Sequence, residues 1–223
     1  MKRTFLKTGD GSITIHLPDW DEQYHSKHGA IAEAQHVFIK TGLHYFCDQY
    51  TTNPLSILEI GFGTGLNAFL TLQEAKEKKL QINYTGVEAY PIDVKELGEL
   101  NYAKLLNVSE DEFEKLHSAE WEKKTSIVPN FLLLKRKQFF SEIKDKEEFH
   151  LIYFDAFGAR VQPELWTLEI FKKMYDALKV KGVLVTYSAK GSVRRNMKAV
   201  GFTVERLQGP PGKREMLRAS KNS

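Results

Sequence analysis

The chain has 223 residues and a single cysteine, Cys47, which excludes an internal disulfide. One cysteine suits a reducing cytoplasm, although it is compatible with any compartment. No stretch approaches the roughly 18 to 20 consecutive apolar residues of a membrane helix, so we expect no membrane partner. The N-terminus is basic but lacks a long apolar segment and a small-residue cleavage site. We therefore expect no signal peptide and a cytoplasmic protein.

Two kinds of catalytic signature are also missing. The sequence has no CxxC or HxxxH spacing and no dense group of acids, so we expect no metal site. It has no G-x-S-x-G motif, which counts against a hydrolase with a serine nucleophile.

The composition, 42% hydrophobic and 27% charged, is that of a globular domain rather than a disordered or fibrous chain. The net charge of +3 is small, but from Lys190 onward nine Lys and Arg stand against two Glu. Such a basic segment either solvates a surface or contacts a polyanionic partner.

Strand and helix patterns alternate about five times along the chain, and several strands are continuously apolar. Strands are predicted to end at residue 60 and to cover residues 82–88, 131–134, 150–155 and 183–187. Helices are predicted at about 66–79, 92–106, 166–178 and 192–200, and closing strands at 202–207 and 215–219. This order predicts an α/β fold with a mostly parallel, doubly wound sheet and an antiparallel C-terminal hairpin.

A smaller unit precedes this pattern. Residues 4–6 and 12–17 read as a hairpin, and residues 31–43 have helical spacing with Gly42 as a natural stop. We therefore divide the chain into an N-terminal extension, residues 1–50, packed on a main domain, residues 51–223.

The glycine-rich stretch after the first main-domain strand is the strongest signal for a ligand. Gly61, Gly63 and Gly65 follow an apolar strand and lead into a helix, so bare backbone approaches a ligand beside the positive helix end. A dinucleotide site requires G-x-G-x-x-G, and residue 66 is leucine. The G-x-G-x-G spacing favours S-adenosylmethionine, which has no pyrophosphate to neutralise.

Three carboxylates fall at or near the ends of predicted strands. Glu88 follows the second strand, where an acid can accept hydrogen bonds from both ribose hydroxyls of a cofactor. Glu59 lies inside an apolar strand and requires a partner, which can be the cofactor or the protein. Asp155 follows the fourth strand and can orient an acceptor amine and stabilise the positive charge that develops on its nitrogen.

Aromatic and polar residues around these acids are candidates for binding the methyl acceptor. Phe154 and Phe157 can stack on a base, whereas Tyr153 and Trp166 are expected in the core. The polar segment 24–29 is either a substrate or cofactor lid or a helix start with an N-cap at Ser26 and exposed histidines.

Several motifs occur together in one order. They are Tyr24-x-Ser26-x-x-Gly29, Glu33, Val37-Phe38, GFGTGLN from Gly61, Glu88-Ala-Tyr-Pro91, FDAF at 154–157, PELW at 163–166 and GKREML at 212–217. From about residue 10 to residue 219 the chain resembles the MnmC-type tRNA methyltransferase family. That resemblance implies a Rossmann-like class I methyltransferase domain that converts wobble 5-aminomethyl-2-thiouridine of tRNA to 5-methylaminomethyl-2-thiouridine with S-adenosylmethionine.

The resemblance also implies roles for individual residues. Asp155 faces the reacting amine, and the cofactor is held by Glu59, Gly61, Gly63, Thr64, Gly65, Asn67, Glu88 and Asp155. Tyr24, Ser26 and Phe157 are candidate substrate contacts. Lys190, Arg194, Arg195, Lys213 and Arg214 are candidate contacts to tRNA phosphates.

Two departures from the family pattern matter. The bifunctional members carry an FAD-dependent oxidoreductase domain that does not fit in this length, so we expect methylation alone and a separate enzyme that supplies the aminomethyl uridine. Members often have Gly-Asp after the third strand, where this chain has 135-KRKQ-138, and Gln138 is a substitute candidate for the adenine contact. The alternatives are a small-molecule amine methyltransferase, a non-catalytic cofactor or nucleic-acid binding module and a dinucleotide oxidoreductase.

Overall fold

A computed structural model describes residues 2–222, except for the side chain of residue 94. The chain begins with a small antiparallel sheet of three strands, β1 (Thr4–Lys7), β2 (Ile13–Leu17) and β3 (Glu22–Gln23). Asp10 closes the first turn by accepting from the Ser12 N–H at 3.0 Å, and it also accepts from the Ala32 N–H at 2.9 Å. The carboxylate therefore joins the hairpin to the helix that follows.

This N-terminal helix runs without a break through α1 (Ala30–Ala34), a π-helical segment (Gln35–His44) and α2 (Tyr45–Gln49). Phe38 packs on Tyr153 of the main sheet, with ring centroids 5.2 Å apart. The prediction that the helix stops at Gly42 was wrong. A Cβ at this position would lie 3.0 Å from Val185, so the glycine allows close approach to the sheet instead.

Residues 51–222 contain eight strands and six helices. The strands are β4 (Leu55–Ile60), β5 (Ile82–Val87), β6 (Lys124–Val128), β7 (Phe131–Arg136), β8 (Phe149–Phe154), β9 (Leu178–Thr186), β10 (Thr203–Gln208) and β11 (Glu215–Ser220). The helices are α3 (Leu66–Lys78), α4 (Val94–Leu97), α5 (Tyr102–Leu106), α6 (Glu110–Ser118), α7 (Leu168–Ala177) and α8 (Gly191–Ala199). Short 3₁₀ turns cover Pro18–Trp20, Phe140–Glu142 and Pro163–Trp166.

The strand order is β10-β11-β9-β8-β4-β5-β7-β6. The central strands β9, β8, β4, β5 and β7 are parallel, while β11 pairs antiparallel with β9 and with β10. The predicted mostly parallel sheet with an antiparallel C-terminal hairpin is confirmed. The chain moves from β4 towards β5 on one side and returns to β8 on the other, so the order reverses between β4 and β8. The carboxyl ends of these two strands form the crevice where such sheets bind ligands.

Alternation along β4 directs side chains to two cores. Ile57 packs with the N-terminal helix and α3, whereas Leu58 and Ile60 pack with α7 and α8 on the opposite face. Glu59 points to the same face as Ile57. Phe154, a candidate for stacking on a base, is fully buried against Trp166 and Phe171, so burial excludes it from a base-binding surface.

Other elements also differ from the predictions, including the two-residue strand β3, which was not predicted. The helix predicted at 92–106 is divided into α4 and α5, because the chain turns after Gly98 and restarts beyond Asn101. The edge strand β6 was not predicted, since its sequence KTSIV is polar and mostly solvent-facing at its start. No helix among residues 2–222 is long and apolar enough to span a membrane.

Candidate active site

A cavity of about 1580 Å³ lies at the carboxyl ends of β4, β5, β8 and β9. Its walls come from the glycine turn after β4, the loops after β5, β7 and β8, the segment 20–28 and the C-terminal hairpin turn. The predicted site residues that line it are Tyr24, Ser26, Gly61, Gly63, Thr64, Asn67, Glu88, Asp155, Phe157 and Lys213. The cavity at the carboxyl ends of the strands thus brings together predicted residues from nearly the whole length of the chain.

The glycine turn is tightly packed, and a side chain would be strained at Gly61 and at Gly63. Gly61 has φ +89°, and a Cβ there would lie 2.7 Å from the Asp155 carbonyl oxygen. Gly63 has φ +48°, and a Cβ there would lie 3.1 Å from the Tyr24 ring. Main chain from the turn therefore meets both the Asp155 loop and the N-terminal segment.

Glu88 is fixed against the turn by main-chain donors. Its Oε2 accepts from the Gly63 N–H and its Oε1 accepts from the Tyr90 N–H, each at 3.0 Å. Both oxygens keep free lone pairs towards the cavity, so a ligand hydroxyl can still donate to them.

Glu59 does not line the cavity. Its side chain is fully buried behind the wall, where Oε1 accepts from Asn67 Nδ2 and Oε2 accepts from the Tyr84 hydroxyl, both at 2.9 Å. Burial raises the pKa of Glu59 well above its usual range, and the two hydrogen bonds oppose that shift. Its partner is therefore the protein, which resolves the alternative that the sequence left open.

Asn67, in the first turn of α3, connects Glu59 to Asp155. Its Nδ2 also donates to Asp155 Oδ2 at 2.9 Å, so one amide nitrogen serves two carboxylates. Because the nitrogen must face both acids, Oδ1 points away from them. Oδ1 is buried and has no hydrogen-bond partner among residues 2–222, although Asn67 lines the cavity. It is a buried acceptor that no group among residues 2–222 satisfies.

Asp155 directly follows β8, and its N–H donates to the Ile60 carbonyl at 2.9 Å. Burial, together with the negative charge of Glu33, raises the pKa of the Asp155 carboxyl to about 7. The Asn67 hydrogen bond and the charge of Lys213 act in the opposite direction. A carboxyl with this pKa exchanges a proton near neutral pH.

The two ends of the chain meet beside Asp155. Glu33 is 6% exposed, accepts from the Ser26 N–H at 2.8 Å and forms an ion pair with Lys213 Nζ. The same ammonium lies 3.9 Å from the ring centroid of Tyr187. This wall consists of a carboxylate, an ammonium and an aromatic face, and Glu33, Tyr187 and Lys213 all line the cavity.

An aromatic group covers the N-terminal side of the cavity. The Phe157 ring makes edge contacts with Tyr24 at 5.0 Å and Trp20 at 5.7 Å between centroids. Trp166 Nε1 donates to the Phe157 carbonyl at 2.7 Å and so holds the loop. Burial raises the pKa of Tyr24 to about 12, which keeps its hydroxyl neutral.

The segment 24–29 lines the cavity, and it does not cap the helix in the way that the alternative required. Gly29 occupies the N-cap position, whereas Ser26 Oγ accepts from the His28 N–H at 3.2 Å. His25 is buried between Thr14 and Thr64, and burial lowers the pKa of its ring to about 4. The N-cap at Ser26 is therefore wrong, and only His28 is an exposed histidine of this segment.

Several predicted residues lie elsewhere. Gly65 starts α3 behind the turn, where it packs near His117 and does not line the cavity. Lys190, Arg194, Arg195 and Arg214 also lie outside the lining. Gln138 does not line the cavity either.

Four of the lining residues that sequence reasoning missed are Glu33, Tyr90, Phe139 and Tyr187. Tyr90 and Phe139, 64% and 53% exposed, form an aromatic pair at the outer edge beside Glu88, with centroids 6.0 Å apart. Tyr187 directly follows β9, and the carboxyl-end rule could have found it. Glu33 occurs in the family pattern, but nothing in its helical surroundings indicated an ion pair with residue 213. Among residues 2–222 there is no group of three or more acids, histidines or cysteines that could hold a metal ion.

Comparison with known proteins places these features in context. The sequence profile of the S-adenosyl-L-methionine-dependent methyltransferase family matches residues 110–222, just over half of the chain. The tRNA 5-methylaminomethyl-2-thiouridine biosynthesis bifunctional protein MnmC of Leptospira borgpetersenii serovar Hardjo-bovis (strain JB197) is 27% identical over 216 residues. That alignment covers 89% of this chain and 32% of the relative.

Two further comparisons agree with this. The protein of the same name from Marinomonas sp. (strain MWYL1) is 29% identical over 229 residues, covering 93% of this chain and 32% of the relative. The crystal structure of MNMC2 from Aquifex aeolicus has a TM-score of 0.81 at 25% identity, covering 100% of this chain and 71% of that one. The chain thus spans about a third of the length of the curated relatives it matches.

Proposed function

The chain belongs to the family of S-adenosyl-L-methionine-dependent methyltransferases, and we propose that it methylates the amine of 5-aminomethyl-2-thiouridine in tRNA. The product is 5-methylaminomethyl-2-thiouridine, the nucleoside in the names of the curated relatives. We assign the reaction to the wobble position, as the family resemblance implies. The observation that carries the proposal is the partly buried Asp155, which lies beside the glycine turn in one shared cavity.

The residues of the β4–β5 side fit S-adenosylmethionine. The glycine turn offers bare main chain, and Glu88 presents a carboxylate that can accept from ribose hydroxyls. Thr64 and Asn67 line the cavity next to this turn. We assign cofactor binding to Gly61, Gly63, Thr64, Asn67 and Glu88.

The size of the cavity favours two reactants. About 1580 Å³ exceeds the roughly 300–1,000 Å³ of a typical small-molecule pocket, which leaves room for a second molecule beside the cofactor. The remaining space is bordered by Asp155, Phe157 and the Glu33–Lys213 pair. Phe157 and Tyr24 offer aromatic surfaces to a base.

The reaction requires an acceptor for one proton of the substrate amine, and we assign this role to Asp155. When bound, S-adenosylmethionine supplies a methyl group on a positively charged sulfur. An ammonium has no lone pair, so the substrate must lose a proton before its neutral amine attacks the methyl carbon, where the N–C bond forms as the S–C bond breaks and S-adenosylhomocysteine leaves. The Asp155 carboxylate accepts that proton and orients the amine, and its pKa of about 7 suits this exchange at neutral pH. Asp155 is thus the proposed catalytic residue.

We infer that tRNA phosphates bind outside the cavity. Lys190, Arg194, Arg195 and Arg214 lie outside its lining, and the basic segment from residue 190 includes all four. Phosphate contacts position a nucleic acid without reading its sequence. The aminomethyl group has to be installed by a separate catalytic activity before this step, and a cytoplasmic location remains a prediction.

The test is mass spectrometry of nucleosides after incubation of the protein with methyl-labelled S-adenosylmethionine and tRNA that carries 5-aminomethyl-2-thiouridine. We expect one labelled methyl group on that nucleoside and none on tRNA that lacks the aminomethyl group. Label in a panel of free small amines instead of tRNA would support the small-molecule alternative. Cofactor binding with no transfer to either class of acceptor would support a non-catalytic module.

A further inference from the structure

A buried glutamate inside an apolar strand is a costly feature that the proposed chemistry does not use. Glu59 is fully buried in β4, between parallel neighbours β5 and β8. An unpaired carboxylate in such a place is strongly unfavourable. Glu59 is instead satisfied by Asn67 Nδ2 and the Tyr84 hydroxyl, each at 2.9 Å.

We propose that Glu59 is a positioning residue, which holds the Asp155 carboxylate in its reactive orientation through the side chain of Asn67. The inference rests on the proposed function, because it concerns the carboxylate that receives the amine proton. Glu59, Asn67 and Asp155 are called the relay below.

The geometry of the relay carries this inference. Asn67 Nδ2 has two hydrogens, and the two acceptors within 2.9 Å are Glu59 Oε1 and Asp155 Oδ2. Glu59 thereby fixes which end of the amide faces Asp155. Without that acceptor the amide could rotate and turn Oδ1 towards the Asp155 carboxylate. Oxygen would then face oxygen, and the orienting hydrogen bond would be lost.

The same arrangement explains why the carbonyl oxygen of the Asn67 side chain is buried without a hydrogen-bond partner among residues 2–222. Because Nδ2 is committed to the two acids, Asn67 Oδ1 must point elsewhere and is left without a partner among residues 2–222. One glutamate behind the wall thus sets which end of the Asn67 amide faces Asp155. Held by rigid strand and helix, such a group can be placed within a few tenths of an ångström.

The protonation of Asp155 also depends on the other ionisable groups around it. Glu33 from the N-terminal helix, Lys213 from the C-terminal hairpin turn, Tyr187 after β9 and Glu59 from β4 all face it. The Asn67 hydrogen bond favours the charged form, so loss of the relay raises the pKa of Asp155 above its wild-type value.

The main variant is Glu59→Leu, which removes the acceptor without leaving a charge in the core. We expect kcat on tRNA to fall about tenfold or more, while calorimetry gives an S-adenosylmethionine Kd within about threefold of wild type. Glu59→Gln should keep most of the rate, since its amide oxygen can accept from Asn67 while its NH₂ donates to the Tyr84 oxygen. Tyr84→Phe is the matched control, with less than about a threefold effect expected.

A second variant removes Asn67, the member of the relay that lies in α3. Asn67→Ala should lower kcat as Glu59→Leu does, and adding Glu59→Leu to Asn67→Ala should cause no further loss. NMR titration of the Asp155 carboxyl in the protein without cofactor should show a higher pKa in Asn67→Ala than in wild type, and a higher pKa in Glu59→Leu than in Glu59→Gln, since both of these variants lack the Glu59 charge. Full activity in Glu59→Leu, additive losses in the double variant or an unmoved Asp155 titration would each overturn the proposal.

The proposed function and the proposed role of Glu59 can be disproved independently of each other. If wild-type protein does not methylate tRNA, the proposed function is wrong, and the NMR titration still decides whether Glu59 acts on Asp155. If Glu59→Leu does not fold, the titrations of Asn67→Ala and Glu59→Gln decide the same question. Asn67→Ala with wild-type titration would then contradict the relay.

Discussion

Glu88 and Asp155 lie in one cavity, but the chain positions them with contacts of very different range. Glu88 is held by the main-chain N–H groups of Gly63 and Tyr90, 25 and 2 residues away. Asp155 is surrounded by side chains from both ends of the chain, including an ion pair between residues 33 and 213 that are 180 positions apart. The cofactor side is thus local, and the acceptor side requires the finished fold.

This difference separates binding from selection. A site made of main-chain donors depends little on neighbouring side chains, so it suits a cofactor that many enzymes share. A site made of distant side chains changes whenever either chain end changes, so it suits the choice of a particular acceptor. If this comparison is right, substitutions on the Glu88 side should change cofactor affinity, and those on the Asp155 side should change turnover or local stability.

The largest effect is expected for Asp155→Asn. The amide cannot accept the amine proton, so kcat should fall by about 100-fold or more, in the range of lost general-base catalysis. The S-adenosylmethionine Kd, measured by calorimetry, should stay within about threefold, since the cofactor side is untouched. Single-turnover methylation of tRNA is the appropriate rate measurement. A parallel loss of cofactor affinity would show that Asp155 also contributes to cofactor binding and would contradict the comparison.

The pH dependence of the wild-type enzyme provides the control for that variant. Burial raises the pKa of Asp155 to about 7, so the carboxyl becomes protonated as the pH falls through this value. A protonated carboxyl cannot accept the amine proton, so kcat/KM should decline below about pH 7. In Asp155→Asn the inflection near pH 7 should be absent, and only the pH dependence of the substrate amine itself should remain.

The sequence predicted the local side of the cavity better than the distant side. The G-x-G-x-G turn and Glu88 follow directly from strand ends and spacing, and the parallel order brings Asp155 to the same edge. The ion pair of Glu33 with Lys213 cannot be read in this way, because no periodic pattern relates a helix residue to a hairpin turn 180 positions later. Glu59 shows the same limit, since its cost of burial demanded a partner but did not identify Asn67.

The second largest effect is expected for Glu88→Gln. The amide would direct an NH₂ group at one of the two main-chain N–H donors and would lose the charge that attracts ribose hydroxyls. A hydrogen bond to a charged group contributes about 1.5–3 kcal/mol, so the cofactor Kd should rise about 10- to 100-fold. At saturating cofactor, kcat should remain within about threefold.

Glu99→Gln is the matched control for Glu88→Gln, because Glu99 is an exposed acid outside the cavity lining. Its Kd should equal that of wild type in calorimetry. A kcat effect in Glu88→Gln that persists at saturation would show that the cofactor side also controls turnover.

A smaller effect, on stability, is expected for Lys213→Met. The substitution keeps the stem over Tyr187 but leaves the buried Glu33 carboxylate with only the Ser26 N–H as a donor. Because Lys213 is about one-third exposed, we expect a loss of about 1–2 kcal/mol in the free energy of unfolding, below the value for a fully buried pair. Chemical denaturation measures it.

Two variants sharpen this test. Arg214→Met, at an exposed position in the same turn, should leave the free energy of unfolding within about 0.5 kcal/mol of wild type. The double variant Glu33→Gln with Lys213→Met should recover part of the loss, since no buried charge remains. Equal losses in Lys213→Met and Arg214→Met would show that the ion pair does not hold the chain ends together.

The smallest effect is expected for two basic residues of α8, the half-buried Arg194 and the exposed Arg195. Charge reversal of Arg194 and Arg195 together should weaken tRNA binding several-fold at moderate salt and leave cofactor affinity unchanged. Each lost phosphate contact lowers the slope of log K against log salt by about 0.7–0.9, so the slope should fall by nearly 2 if both residues contact phosphates. Filter binding over a salt series measures it.

Lys123→Glu with Lys124→Glu, beside or on the β6 edge strand at the other end of the sheet, is the matched control. Unchanged tRNA affinity at low and moderate salt would remove α8 from the acceptor side and confine tRNA recognition to the cavity.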